Sequence, residues 1–96
     1  MHPAKVKRDQ VRQLTDLPNI GPAMAKDFRL IGINRPDQLM GEDPFRLYQR
    51  LCRVSGVRQD PCVLDTLISV TRFMDGDEAQ PWWSYTEARK RHYGSL

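Results

Sequence analysis

Leu17-Pro18-Asn19-Ile20-Gly21-Pro22-Ala23-Met24-Ala25 is the stretch on which the fold turns. Pro18 pushes the residue before it away from helical angles and so ends any helix arriving from upstream. Pro22 suits the first turn of a new helix, where its missing N–H costs nothing. Between them Gly21 and the left-handed-tolerant Asn19 are expected to supply a positive backbone angle, Ile20 to plug the core, and Ala25 to permit a close approach. Upstream, Val6, Val11, Leu14 and Leu17 form an apolar stripe that predicts a helix over 6–17. Downstream, Ala25, Phe28 and Ile31 recur at helical spacing until Gly32, a natural C-cap. Residues 17–28 therefore predict two close helices joined by a tight turn. A turn of this kind leaves N–H groups free at a helix start, and those groups with the helix dipole bind phosphate without reading bases.

Working outward, every further segment is helical in pattern, and no run alternates apolar and polar residues long enough for a half-buried strand. Pro36 to Met40 predicts a short helix closed by Gly41. Asp43-Pro44 and Asp60-Pro61 each place an N-cap acceptor before a proline at the first helical position. The helix after Pro44 carries Phe45, Leu47, Tyr48, Leu51 and Cys52 and ends before Gly56. The one after Pro61 carries Val63, Leu64, Leu67, Val70 or Thr71, and Met74 and is expected to be the central core helix. Residues 76–81 are a short acidic connection. Ser84 and Glu87 then form the pattern of a capping box, with a last helix from about Tyr85 to His92. The expectation is an all-α protein with one domain over 1–96 and its core over about 6–92.

The stretch around Gly21 resembles the helix-hairpin-helix family, whose pattern is hydrophobic-Pro-Gly-Ile-Gly followed by three residues and an alanine. Ile20, Gly21 and Ala25 match, Asn19 stands where the first glycine is usual, and Ala23 stands where DNA-gripping members often carry lysine or arginine. The order of elements is that of a compact paired helix-hairpin-helix bundle with a C-terminal helix, and Val54-Ser55-Gly56-Val57-Arg58 takes the place of the second hairpin. That second hairpin is degenerate, because Arg58 replaces a glycine and Asp60 caps the next helix where a phosphate would sit. Over about residues 10–90 the chain resembles the bacterial pathogenicity-locus family, some members of which are called mitomycin-resistance proteins. The resemblance is carried by residues 17–23, by Leu51-Cys52-Arg53 with residues 56–65, and by Pro81-Trp82-Trp83. Asn19-Ile20-Gly21-Pro22, with Ile31-Gly32-Ile33 and Asp37-Gln38-Leu39, is more distantly similar to the C-terminal domain of TfoX-like competence regulators.

Forty per cent hydrophobic and 28% charged residues are the content of an ordinary globular chain, and no window is long and apolar enough to span a membrane. Lys5 after Met1-His2-Pro3-Ala4 opens a charged stretch and not an apolar one, so no secretory signal is expected, and a cytoplasmic setting is. Fifteen basic residues against 12 acidic ones give +3, a mild bias toward polyanionic partners. The residues expected to hold a DNA backbone are Asn19, Ile20, Gly21, Ala23, Lys26 and Arg29. Lys5, Lys7, Arg8, Arg53 and Arg58 are expected to add electrostatic affinity, while solvated helix ends are the plainer account of Lys5 to Arg12 and of Arg89 to Arg91.

Other constellations are weaker. Cys52 and Cys62 are too few for a disulfide framework and match no zinc spacing; of a redox pair, a half metal site with His92 and buried thiols, the last fits best, although an exposed Cys62 in a helix's first turn would have a lowered pKa. Of Trp82 and Trp83, one is expected to anchor the core and one to lie partly exposed, with stacking on unpaired bases as the alternative. No nucleophile stands beside a base, and Asp37 or Asp43 downstream of the hairpin lacks the pocket that a flipped nucleotide would need. The expectation is a DNA-binding module, in repair or competence, with no catalytic role, cofactor or metal. The alternative is a scaffold in which the hairpin serves folding and the Trp82, Trp83 and Tyr85 region docks a protein.

Overall fold

Proline opens each of the three longest helices, α1 (Pro22–Leu30), α2 (Pro44–Ser55) and α3 (Pro61–Met74). A fourth, α4 (Thr86–Tyr93), follows a 3-10 turn over Trp82–Tyr85. The computed structural model describes residues 1–94, and among them there is no strand. Asp43 accepts from the Phe45 N–H and Asp60 from the Cys62 N–H, each at 2.9 Å, so both expected N-caps are made. At the other end of α1, Gly32 takes φ +86°, and Ile33 N–H reaches back to Phe28 C=O while Gly32 N–H bonds Arg29 C=O. This is the paired bonding of a Schellman stop, and a side chain at Gly32 would strain it.

Helix α3 is the axis of the molecule. Leu64, Leu67, Ile68, Val70, Thr71 and Phe73 are all buried, together with Asp65 and Ser69, so hardly any face of its middle reaches water. Helix α2 packs along it with Leu47, Tyr48 and Leu51, and the 82–85 turn covers another side through Tyr85. Leu14, Leu17, Ile20, Phe28 and Leu39 complete one continuous core. Among the described residues, no helix is long and apolar enough to cross a membrane.

The helix expected over 6–17 does not form. Arg8–Gln10 and Leu14–Asp16 are isolated 3-10 turns, with Val11 and Gln13 extended between them. The Asp16 carboxylate accepts from the N–H groups of both Arg12 and Gln13 at 3.0 Å, offering the backbone an alternative to helical bonding. Those two N–H groups hold its pKa below the usual carboxylate range. Arg8 is drawn away as well, donating to Phe73 C=O at 2.6 Å and Asp77 C=O at 2.5 Å while its guanidinium lies over the Phe73 ring. It serves the last turn of α3, where carbonyls lack helical partners. The apolar stripe was real, since Leu14 and Leu17 are buried, but it lines a segment of turns.

Helix α4 has little apolar surface and is fastened by polar bonds. Arg89 Nε donates to Asp65 Oδ1 at 2.8 Å, and Thr86 Oγ1 donates to Asp65 Oδ2 at 2.8 Å. Tyr93 stacks on Phe45 of α2 with ring centroids 4.8 Å apart. The Ser84 capping box is absent: Tyr85 stands at the N-cap without a side-chain bond, because the preceding 3-10 turn runs directly into the helix. The core anchor of this region is Tyr85, not either tryptophan.

Candidate nucleic-acid interface

The turn before α1 carries its positive backbone angle at Asn19, with φ +69°, and not at Gly21, whose φ of −102° and ψ of −175° are extended. Asn19 thus occupies the position where a glycine is usual and adds bonds that glycine could not make. Its side-chain amide donates to Ser69 Oγ at 3.0 Å and to Gln80 C=O at 2.8 Å, fixing the turn to α3 and to the 76–81 connection. Ile20 is buried and plugs the core as expected. Met1 closes the turn from outside: its ammonium group donates to Leu17 C=O at 3.0 Å and Ile20 C=O at 2.7 Å, and Asn19 N–H returns a bond to Met1 C=O.

Past this rigid part the backbone is open. Gly21, Pro22 and Ala23 are exposed, and among the described residues the N–H groups of Gly21, Ala23 and Met24 donate to no protein acceptor. Lys26 and Arg29 are exposed further along α1, and neither is in an ion pair among the described residues. Of the six backbone-binding candidates, Gly21, Ala23, Lys26 and Arg29 face solvent, whereas Asn19 and Ile20 are spent on holding the turn.

The auxiliary basic residues sit on different elements. Lys5 and Lys7 are exposed near the N-terminal turns, Arg8 is committed to the end of α3, and Arg53 and Arg58 lie on and just after α2. In the second connection Asp60 occupies the N-terminus of α3, as its spacing implied, and its bond from the Cys62 N–H keeps its pKa low. A carboxylate already fills that anion position. Cys62, one residue inside the helix, is the reverse of the reactive thiol considered from its position: burial, and then the Asp60 carboxylate, push its pKa up to about 11. Cys52 and Cys62 are both free and half-buried, and among the described residues no cluster of potential ligands could hold a metal.

Beside the turn, a cavity of about 380 Å³ lies between Met1, His2, Gly21, Trp82 and Trp83. The two indoles meet edge to face at 5.6 Å, and Trp83 is 63% exposed. Asp65 and Arg89, spent on each other, are the polar pair that sequence patterning passed over. An acid inside the apolar run from Leu64 to Val70 was the available signal, because a carboxylate in a buried stripe requires a partner.

The class defined by this geometry is an all-α protein in which a proline-flanked turn presents open amides at a helix start. The chain belongs to the pathogenicity locus family (Cdd1), whose model matches residues 7–91. It is 46% identical over 78 residues to the mitomycin resistance protein McrB of Streptomyces lavendulae, covering 81% of this chain and 74% of that protein. No solved structure matches it.

Proposed function

We propose that this protein is a DNA-binding module that holds the sugar-phosphate backbone at the start of α1 with little sequence preference. The observation that carries this is the set of free N–H groups at the exposed Gly21 and Ala23 and the half-buried Met24, ahead of the exposed Lys26 and Arg29 on a turn that other bonds keep rigid. Backbone amides and a helix dipole recognise a phosphate, which every nucleotide carries, and leave bases unread. The role is binding and not catalysis. Mitomycin resistance, named for the Streptomyces lavendulae relative, is the setting in which such a module would act at DNA, alongside repair.

Gly21→Glu is a clean test. A Cβ at Gly21 meets nothing within 4 Å and the backbone there is extended, so the substitution puts a carboxylate at the amides without disturbing the fold. Titration of a labelled duplex should show binding with Kd on the order of 10⁻⁶ to 10⁻⁴ M at physiological salt, tighter at low salt and weakening steeply as salt rises. Gly21→Glu should abolish it at unchanged Tm. Absence of binding by the unaltered protein at low salt overturns the proposal. A second reading, protein docking, is favoured by one observation, the exposed Trp83 over its cavity. Under it the protein does not bind DNA, and Trp83→Ala removes a protein partner.

A further inference from the structure

Helix α2 contains three arginines and neither aspartate nor glutamate between Pro44 and Ser55. Arg46, Arg50 and Arg53, with Gln49 among them, fall at i, i+3, i+4 and i+7, which places all four on one side of the helix. Leu47, Tyr48 and Leu51 occupy the opposite side and are buried. Arg46 and Arg53 are exposed, Arg50 is half-exposed, and none of the three is in an ion pair among the described residues. The nearest acid in sequence, Asp43, is occupied in capping the helix.

Helix stability explains only part of this pattern. Arg53 is in the last turn, where a cation suits the dipole, and Arg50 donates to Ile31 C=O at the end of α1 at 3.2 Å. Arg46 is in the first turn, at the positive end of the dipole, where a cation is disfavoured. From Arg46 to Arg53 the helix rises about 10 Å, so the three guanidinium groups are spread along a line, as successive phosphates of a strand are, and not gathered at one point. Planar guanidinium groups are also suited to phosphate oxygens, which they can grip with two parallel bonds. The Arg50 bond to Ile31 brings this face against the far end of α1, the helix that carries Lys26 and Arg29 and follows Gly21.

We propose that the Arg46–Arg50–Arg53 face of α2 is a second phosphate-binding surface, which takes the nucleic-acid backbone on from the amides at the start of α1. It rests on the nucleic-acid reading of the α1 turn and extends the footprint along the length of α1 and onto α2. An anionic bilayer is the less suited occupant, because the apolar side of α2 is already in the core and leaves nothing to enter lipid.

The test is the salt dependence of duplex binding by the whole chain. The variants are Arg46→Gln with Arg53→Gln, the paired lysine substitutions at the same positions, and Gly21→Glu, each checked by its thermal melt. Arg50 stays in place because of its bond to Ile31. Loss of two phosphate contacts should lower the slope of log K against log salt by about 2 and weaken binding roughly tenfold per arginine near 0.1 M salt. The lysine pair should keep most of the slope. If the glutamine pair keeps the full slope while Gly21→Glu loses binding, the α2 surface is overturned and the turn stands. If the unaltered protein ignores DNA, both are overturned. Arginine-dependent binding to phosphatidylserine vesicles without DNA binding also overturns the proposal.

Discussion

Asn19 concentrates several demands in one side chain. It holds a left-handed backbone angle and bonds both Ser69 and Gln80. Asn19→Ala keeps the strained angle without either bond and should cost about 2–4 kcal/mol. Asn19→Gly relieves the angle and should cost less, an order that paired chemical denaturation can check. Cys62 offers a second residue-scale expectation. Its thiol, at about 11 against 9.0 for a free thiol, stays protonated in the folded protein when the unfolded chain has begun to ionise. Between those values the unfolded state binds fewer protons, so this group's contribution makes stability fall as pH rises from about 9 to 11. At pH 8 Cys62 should resist alkylation in the native protein and react on unfolding, as mass spectrometry of labelled peptides would reveal.

At the scale of elements, α4 is the piece whose attachment is least secured by apolar burial. Arg89 is its buried residue, and Asp65 is fully buried beneath it. Removing one partner of a buried pair leaves the other charge uncompensated, so Asp65→Ala should cost about 3–5 kcal/mol. Amide exchange should then rise first over 86–93, because α4 can leave while the α2–α3 packing remains. Uniform loss of protection over the whole chain would show instead that α4 is integral to the core. Element starts were the most legible feature of the sequence: Pro22, Asp43-Pro44 and Asp60-Pro61 fix φ or satisfy N–H groups locally, and each opens its helix where expected. Residues 6–17 were not legible in the same way, since Asp16 and Arg8 choose backbone partners, one of them some 65 residues away, that periodicity does not register.

For the molecule as a whole, the radius of gyration is 12.3 Å, against about 12.5 Å expected for a compact chain of this length. The all-α class and the central place of α3 were readable because both follow from apolar spacing over long segments. The turn before α1 was readable in part: Pro22 opens its helix and Asn19 takes the left-handed angle as expected, whereas Gly21, expected to share that angle, is extended. What decides which charges remain available was not readable, since it depends on which parts of the chain meet. Arg8 looked like one of a basic cluster and is an internal fastening, while Arg46 and Arg50 drew no notice and share one side of α2.

The tether from Asn19 to Gln80 has a consequence in time. The turn's residues are made well before the carbonyl that pins it, which lies 61 residues further along, and the carbonyls at Phe73 and Asp77 that hold Arg8 lie 65 and 69 residues beyond it. During synthesis Leu14, Leu17 and Ile20 must wait, uncovered, until α3 and its following connection have emerged. The turn is thus made ahead of α3 and fastened only after it.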